Sequence, residues 1–144
     1  MELKGFEIRG YHITDEAAVI QLWRDCDLIM PWNDPYQDIQ RKLKVQADLF
    51  LVGLLSGRLV ASVMAGYEGH RGWINYLAVA PDLQRRGIGR IMMGEAEARL
   101  RQLGCPKINL LIRVNNSDVY TFYQRIGFKE DDVLSMGKRL EHDD

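Results

Sequence analysis

The apolar positions of this chain follow two periods, and each period predicts one type of element. Residues 6–12 alternate apolar and polar side chains, which predicts a half-buried strand. Ser56 and Gly57 stand between two apolar runs, and such a pair is typical of a hairpin turn. We expect the runs between 49 and 80 to form an antiparallel meander. The predicted strands after the first lie at 49–55, 58–66, 73–80 and 107–114, with a last strand within 128–140.

Helical spacing of apolar residues separates these strands. Thr14 and Asp15 are candidate N-caps of a first helix, and Ser117 is a candidate cap of the last. The predicted helices run from Thr14 or Asp15 to about Cys26, from about Pro35 to Gln46, from 88 to 103 and from 116 to 125. The apolar face of the third helix consists of Ile88, Met92, Ala96, Leu100 and Leu103.

The order of these elements is β-α-α-β-β-β-α-β-α-β. This order predicts an α/β layer fold with a mixed sheet. A chain of 144 residues has the size of one domain, so a single domain is expected over residues 1–144. The last four residues are polar and are expected to fray.

Composition excludes several classes of protein. A net charge of −1, with 47% hydrophobic and 27% charged residues, is ordinary for a globular protein and gives no bulk attraction to nucleic acid or membranes. The N-terminus lacks a signal-peptide pattern, and no apolar run approaches the ~20 residues of a membrane span, so a cytoplasmic protein is expected. Cys26 and Cys105 are expected to be reduced thiols, and the scattered histidines predict no metal site.

Residues 80–93, APDLQRRGIGRIMM, carry the strongest chemical signal. They place three arginines and two glycines at the start of the third helix, and no acid occurs between Asp82 and Glu95. Free N–H groups at a helix start favour an anion by roughly 0.3–1 kcal/mol, so this start predicts a bound anion. Arginine binds phosphate through paired hydrogen bonds, which favours a phosphate or pyrophosphate. The alternative is that these arginines only solvate an exposed helix face.

Two common phosphate-binding motifs do not fit this loop. A dinucleotide fingerprint needs a third glycine after Gly87 and Gly89, and Met92 stands at that position. A P-loop needs Lys-Ser or Lys-Thr after its second glycine, and that pair is absent. A bare Gly-x-Gly is weak evidence by itself, so the surrounding residues decide its meaning.

Those surrounding residues resemble the GCN5-related N-acetyltransferase (GNAT) family. Segment 84–89, Gln-Arg-Arg-Gly-Ile-Gly, matches the family's coenzyme-binding signature, and residues 74–82 are similar to its central strand. Asn116, followed by Tyr123 and then Gly127-Phe128, resembles the family's second conserved stretch. The resemblance covers nearly the whole chain and implies a mixed, mostly antiparallel sheet flanked by about four helices. It is most similar to the branch that acetylates ribosomal-protein N-termini.

The resemblance also implies where acetyl-CoA binds. It would lie in a V-shaped opening between the central strand and the next, where a bulge leaves main-chain groups free to pair with the pantetheine arm. Val79 N–H would stabilise the oxyanion, and Tyr123 would be the general acid for the departing thiolate. The implied acetyl-CoA-binding residues are Leu77, Ala78, Val79, Gln84, Arg85, Arg86, Gly87, Ile88, Gly89, Arg90, Asn116 and Tyr123.

The general base is the point at which this chain departs from the family. Many members place a glutamate on the central strand or the next one, whereas this chain has Leu111 there and Glu68 only in a loop. An α-amine, with a reference pKa of ~7.7–8.0, needs little more than water to lose its proton. We therefore expect direct attack in a ternary complex by a weakly basic amine. Trp32 and Tyr36 either cover this acceptor or pack as a lid on the sheet.

Two other functions stay open at this stage. A CoA-binding sensor without turnover is favoured by the lack of an evident base. A module that binds phosphate or nucleic acid is disfavoured by the near-neutral charge and by the lack of an aromatic run between the basic residues. The expected function is an acetyl-CoA-dependent N-acetyltransferase that acts on a protein N-terminus or a small-molecule amine, as a monomer or homodimer, without a metal, nucleic acid or membrane partner.

Overall fold

Five strands form one sheet in the part of the chain that the computed structural model describes, residues 3–143. The strands are β1 (Phe6–Gly10), β2 (Phe50–Leu55), β3 (Arg58–Tyr67), β4 (Gly72–Val79) and β5 (Ile108–Asn109). They lie side by side in sequence order. β1 to β4 are antiparallel neighbours and β5 is parallel to β4, which confirms the predicted mixed, mostly antiparallel sheet.

The described residues also form four α-helices, which cover both faces of the sheet. These are α1 (Glu16–Asp25), α2 (Pro35–Leu43), α3 (Ile88–Gln102) and α4 (Ser117–Arg125). α1 packs on the face to which Ser62 points, because the Trp23 indole donates a hydrogen bond to the Ser62 hydroxyl. α3 packs on the opposite face, where the Met92 sulfur lies against Gly53. No helix within residues 3–143 is long and apolar enough to cross a membrane.

The core lies between these layers and explains the continuous apolar runs. Phe50, Leu51 and Val52 of β2 are each 0% exposed, because both faces of the central strands are covered. Burying each such side chain contributes roughly 1.5–3 kcal/mol. The predicted face of α3 is buried at Ile88, Met92, Ala96 and Leu100, whereas Leu103 beyond its last turn is 49% exposed.

The last two predicted strands differ from the structure. Only Ile108 and Asn109 of the expected strand 107–114 pair with β4, and no strand forms within residues 128–140. A strand needs a neighbour at about 4.8 Å. Residues 110–114 instead leave the sheet, and a cavity of about 1130 Å³ borders both them and residues 128–135. The prediction of a final strand is therefore wrong, because its backbone has no partner at strand spacing.

The first two helices each differ from the prediction in one respect. α1 begins at Glu16 with Asp15 at the expected N-cap position, but the Asp15 carboxylate makes no capping hydrogen bond and pairs with Arg9 at 2.7 Å instead. α2 ends at Leu43 rather than at Gln46, which has a left-handed φ of +53° that no helix continues through. Local contacts outside the helices thus decide both ends.

Two expectations about the C-terminal part are also wrong. α4 is capped by Asn116 and not by Ser117, because the Asn116 amide oxygen accepts the Val119 N–H at 3.2 Å. The end of the chain does not fray throughout, since the Asp143 carboxylate accepts two hydrogen bonds from Arg41 at 2.8 and 2.9 Å. The tail is therefore tied to α2.

Candidate active site

An opening in the sheet separates β4 from the chain that follows α3. Gly72 and Trp73 pair with Ile108 and Asn109, and beyond those pairs the two strands part. The edge of β4 from there to Val79 consequently has no strand partner on this side among the described residues. This is the V-shaped opening that the sequence resemblance implied.

A β-bulge distorts β4 beside this opening. Between the pairs that Ser62 and Met64 make with β4, one residue of β3 faces two residues, Tyr76 and Leu77. Tyr76 has a left-handed φ of +52°, a conformation that costs an aromatic residue about 1–3 kcal/mol. The bulge expected near Leu77 is therefore present, and Tyr76 carries its strain.

Three contacts hold the strained tyrosine. Its ring stacks on Trp23 with the ring centres 3.8 Å apart. Its carbonyl accepts a hydrogen bond at 2.8 Å from Ser62, which is fully buried and in turn accepts the Trp23 indole N–H at 2.9 Å. Its hydroxyl donates to Asp38 at 2.6 Å. The bulge is thus fixed by residues from α1, α2 and β3.

The main chain of Val79 faces the opening. Ala80 donates its N–H to the Val60 carbonyl at 2.8 Å, and because successive N–H groups of a strand point to opposite edges, the Val79 N–H points away from β3. On the same side, the Val79 carbonyl accepts the Gln84 amide at 3.0 Å and the Cys26 thiol at 3.2 Å. Burial raises the pKa of the Cys26 thiol, so this cysteine is a protonated donor.

Residues 84–90, here called the anion loop, lie next to the opening. Gly87 is the residue before α3 and has no side chain to cap it, and the first turn contains no acid. Ile91 donates the first helical hydrogen bond, to the Gly87 carbonyl. The N–H groups of residues 88–90 therefore have no partner within the helix and point out of its start.

The two glycines of the anion loop serve different purposes. Gly87 has a left-handed φ of +87°, although an added Cβ would meet nothing within 4 Å. Gly89 would place a Cβ 3.2 Å from the Phe122 ring and 3.8 Å from the Val79 side chain. Gly87 thus permits the backbone conformation, whereas Gly89 permits close packing between α3, α4 and β4.

The arginines of the anion loop form no ion pair with an acid of the described residues. Among residues 3–143, none of the ion pairs involves Arg85, Arg86 or Arg90. Asp82, the nearest acid before them in sequence, accepts two hydrogen bonds from Arg58, each 3.0 Å long, and these lower the pKa of Asp82. Arg86 acts on Asp82 through its charge without forming an ion pair, so the three guanidinium groups stay outside the ion pairs of the described residues.

The opening and the anion loop border one cleft of about 690 Å³. The predicted acetyl-CoA residues that line it are Leu77, Val79, Gln84, Arg85, Gly87, Ile88, Gly89, Arg90 and Tyr123. Ala78, Arg86 and Asn116 lie outside its lining. Ala78 is buried in the ladder opposite Ser62, and Asn116 caps α4 and borders the larger cavity. The structure thus brings most of the predicted set together from three separate segments.

Tyr123 lies on α4 at the wall of this cleft. Its side chain is buried, and the rings of Phe122 and Phe128 meet it edge-on with centres at 5.1 and 5.4 Å. This burial raises the pKa of Tyr123 well above its ordinary value. The phenol therefore keeps its proton across the physiological range and is a hydrogen-bond donor.

The loop between α1 and α2 contacts the other side of the opening. The Arg113 guanidinium, on the chain that leaves β5, lies 5.1 Å from the Trp32 ring centre. Asn33 accepts a hydrogen bond of 2.5 Å from Arg139 of the C-terminal tail. Trp32 and Tyr36 are 45% and 47% exposed, so neither is sealed as a lid on the sheet.

The candidate bases from sequence do not reach the bulge. Glu68 lies in the turn between β3 and β4, where it accepts the N–H groups of His70 and Arg71 at 3.0 and 2.7 Å, and these donors lower its pKa. Leu111 is 70% exposed and offers no carboxylate. No group of three or more His, Cys, Asp or Glu side chains within residues 3–143 is arranged to hold a metal.

The sequence reasoning missed Asp38. Its contact with Tyr76 joins residues 38 positions apart, on a helix whose polar pattern is typical of a solvated face. The only sequence signal is an acid four residues after Asp34, the cap of the same helix, and such a pair is common on exposed helices. The structure alone places this carboxylate at the bulge.

Comparisons with known proteins agree with this geometry. The model of the acetyltransferase (GNAT) family matches residues 17–128. The chain is 47% identical over 137 residues to an acetyltransferase of Pectobacterium atrosepticum, an alignment that covers 95% of this chain and 97% of that protein. It is also 47% identical over 138 residues to an acetyltransferase of Sodalis glossinidius, covering 95% of this chain and 97% of the relative.

Solved structures share the fold. An acetyltransferase from Streptococcus agalactiae superposes with a TM-score of 0.79 at 18% identity, covering 96% of this chain and 93% of that chain. The ribosomal-protein-S18-alanine N-acetyltransferase from Escherichia coli gives a TM-score of 0.73 at 21% identity, covering 88% and 79%. The family match and the relatives assign acetyl transfer and do not favour a sensor or a nucleic-acid module. This enzyme belongs to the GNAT family of acetyltransferases.

Proposed function

We propose that this acetyltransferase takes its acetyl group from acetyl-CoA and holds the CoA diphosphate at the anion loop. The observation that carries the proposal is that the loop lies beside a split in the sheet and presents free N–H groups and three arginines that form no ion pair within residues 3–143. Main-chain donors and guanidinium groups are the partners that phosphates bind in proteins. A diphosphate would supply the negative charge that the protein itself does not.

The open edge of β4 suits the extended arm of the same donor. Main-chain groups at Leu77 and Val79 on this edge are free of β3, so they can pair with the amides of pantetheine as a neighbouring strand would. The Val79 N–H would then donate to the thioester oxygen as it becomes negative. Removing a donor of this kind typically slows acyl transfer by about 10²–10³-fold.

Tyr123 would stabilise and protonate the CoA sulfur as it departs. A buried phenol with a raised pKa is a weak acid against a thiol, whose reference pKa is about 8.5, so full proton transfer in water would be unfavourable. Inside the cleft the thiolate also loses hydration, which raises its own affinity for a proton. The hydroxyl of Tyr123 would thus stabilise the thiolate by a hydrogen bond as the carbon–sulfur bond breaks and then give up its proton.

The acceptor is proposed to be a primary amine that attacks directly in a ternary complex. The ammonium first loses one proton to water, and the free amine then forms the carbon–nitrogen bond while the carbon–sulfur bond breaks. One more proton leaves the nitrogen and replaces, on Tyr123, the proton that this tyrosine gives to the CoA sulfur. The net products are an amide, free CoA thiol and one proton, so a weakly basic amine is favoured because it deprotonates readily.

The proposed acceptor is either a protein N-terminus or a small-molecule amine, the two classes that the sequence analysis gave. The structural neighbours include an enzyme named for the N-terminal alanine of a ribosomal protein and an aminoglycoside acetyltransferase from a soil metagenome, both with TM-scores of 0.73. The resemblance to the ribosomal-protein branch supports a peptide N-terminus, and the small-molecule neighbour supports a free amine. We propose one catalytic domain over residues 1–144 for either acceptor.

Calorimetric titration with acetyl-CoA tests the donor, and release of CoA thiol with a panel of peptides and small amines tests transfer. We expect saturable binding and thiol release that depends on an amine. Arg90→Ala should weaken acetyl-CoA binding, whereas Arg101→Ala near the other end of α3, where it pairs with Glu97, should not. A wild type that does not bind acetyl-CoA, or that shows equal losses in both variants, would contradict the proposal.

A further inference from the structure

Residues 129–141, here called the C-terminal segment, expose both their main chain and their apolar side chains. The segment forms no helix or strand, and none of the hydrogen bonds between main-chain groups within residues 3–143 involves it. Leu134 and Met136 are each 93% exposed. An unpaired, apolar segment of this kind is a template on which another strand can pair.

Exposed apolar side chains are concentrated in this segment. Four of the thirteen large apolar side chains that are exposed within residues 3–143 lie in the eight residues 133–140. Single exposed apolar residues are normal at a protein surface, whereas several on one short stretch mark a site of association. The sequence predicted a last strand here, and what this stretch lacks is a partner backbone at strand spacing.

The charges of the C-terminal segment reverse sign about its centre, Ser135. Asp132 lies three positions before Ser135, and Lys138 lies three positions after it. Lys129 and Glu141 lie six positions before and after it. When two identical strands run antiparallel with Ser135 opposite Ser135, each of these acids therefore faces a base of the other copy. Opposite charges that face each other across a strand pair stabilise it, and like charges destabilise it.

These charges are not engaged elsewhere in the part of the chain that the structure describes. The ion pairs within residues 3–143 involve none of Lys129, Asp132, Lys138 and Glu141. Asp131 and Arg139 would also face each other in this arrangement. Asp131 already contacts Lys107, and Arg139 contacts Asn33, so their pairing would replace existing contacts. The self-complementary charges are therefore mainly those that have no partner within the chain.

The same pattern selects one register. With Ser135 opposite Ser135, Leu134 faces Met136 of the other copy, and these apolar side chains lie on one face of the strand pair. A shift of two residues in one direction places Asp131 opposite Glu141, and a shift in the other direction places two bases opposite each other. Apolar contact and charge thus both favour the register centred on Ser135.

We propose that this enzyme forms a homodimer in which the C-terminal segments of two copies pair as antiparallel strands about a twofold axis at Ser135. The second copy supplies the backbone partner that the segment lacks within its own chain, and it supplies the opposite charges for Asp132 and Lys138. An interface that uses the same surface on both copies closes after two subunits. The pairing requires neither acetyl-CoA nor an acceptor, and it selects the homodimer from the two oligomeric states expected from the sequence.

Sedimentation velocity tests the dimer and its charge pairs. A two-strand contact is at the small end of protein interfaces, so over about 1–300 μM we expect dimers that dissociate in the micromolar range. Asp132→Lys puts a base opposite Lys138 and should weaken the dimer about tenfold, and Lys138→Asp should do the same. The double variant restores opposite charges and should recover the wild-type dissociation constant. Glu7→Lys changes an exposed acid of β1 and should have no effect.

Cysteine substitution tests the register. Ser135→Cys places two thiols opposite each other with Cα atoms about 4.5–5.5 Å apart, a separation that a disulfide spans. Val133→Cys is the matched control, because its own copy lies four residues farther along the strand, at about 13 Å. Under mild oxidation, Ser135→Cys should give a covalent dimer on a non-reducing gel and Val133→Cys should not. The wild type, which contains Cys26 and Cys105, provides the background.

Several results would overturn the proposal. A wild type that stays monomeric over the whole concentration range would exclude the dimer. A dimer that Asp132→Lys leaves unchanged, a double variant without recovery, or equal cross-linking of Ser135→Cys and Val133→Cys would place the contact elsewhere. Because the substituted side chains are exposed, the Tm of each charge variant should match the Tm of the wild type. Weaker dimerisation with an unchanged Tm therefore reports on the interface and not on folding.

Discussion

The anion loop and the region around α2 hold their charges in opposite ways. In the anion loop, Arg85, Arg86 and Arg90 form no ion pair within residues 3–143, and the loop comes from one continuous segment. Around α2, Arg41 is bound by Asp143 and Arg139 by Asn33, and these contacts join α2, its preceding loop and the C-terminal tail.

This difference predicts how each region responds to change. A ligand for the anion loop finds its donors already in place, so one substitution there removes much of the binding free energy. Around α2, protein groups already bind one another, and substitutions there redistribute contacts among several segments. Substitutions in the anion loop should therefore have large effects on acetyl-CoA binding, whereas substitutions around α2 should have smaller effects, mainly on stability.

Gly87→Glu should give the largest effect. The substitution puts a negative charge at the anion loop and a side chain on a left-handed residue, while the space around its Cβ is open. Loss of several charge-assisted hydrogen bonds predicts about 10³-fold weaker acetyl-CoA binding. Calorimetry measures it, with Gly94→Glu on α3 as the control, since Gly94 also has open space around it. Unchanged affinity for acetyl-CoA in Gly87→Glu would show that the anion loop does not bind the CoA diphosphate.

Tyr123→Phe should come next in size. The change removes only the hydroxyl at the cleft wall, so kcat should fall about 10²-fold, as for the loss of a general acid, with acetyl-CoA affinity retained. Stopped-flow or steady-state release of CoA thiol gives kcat, and calorimetry gives the affinity. Tyr120→Phe on the same helix, whose hydroxyl bonds to Glu130, is the matched control. Equal kcat values in both variants would argue against Tyr123 as the general acid.

Ser62→Ala tests whether the bulge is held by the core. It leaves the Trp23 indole N–H and the Tyr76 carbonyl without their shared partner in a fully buried place. The free energy of unfolding should fall by about 1–3 kcal/mol. Urea denaturation measures the loss, and the exposed Ser135→Ala provides the reference. A neutral result at Ser62 would mean that the bulge does not depend on this hydroxyl.

Asp143→Asn should have the smallest effect, and one that depends on pH. Arg41 and the Asp34 N–H lower the pKa of Asp143 to about 2 in the folded protein. A lowered folded pKa stabilises the protein above the unfolded value, near 3.8, and that stability is lost as pH falls toward 2. The Tm difference between wild type and variant should therefore be present at pH 6 and disappear near pH 2. A difference that persists there would contradict the ion pair.

Local pattern was enough to predict most of the elements and the helix start that forms the anion loop. The period-two and helical runs located the meander and the buried face of α3, and the segment from Gln84 to Gly89 predicted the anion loop. These predictions succeed because each depends on neighbours in sequence: the alternation of a strand, the free N–H groups of a helix start and the glycines that permit the turn.

The contacts around the bulge and α2 could not be predicted in this way. The Asp38–Tyr76 hydrogen bond, the Trp23–Ser62 contact and the Arg41–Asp143 pair join residues 38, 39 and 102 positions apart. The final strand failed for the same reason, because a strand exists only where another backbone lies at ladder spacing.

The sequence by itself determined the fold class and the charge of the anion loop. Both follow from local periodicity and from acids missing over one short segment, neither of which needs a folded chain to be seen. Only the tertiary structure decided that β4 parts from β5, that Tyr76 carries the bulge and that Asp38 meets it there. Those features depend on distances between segments far apart in the chain, and packing alone sets these distances.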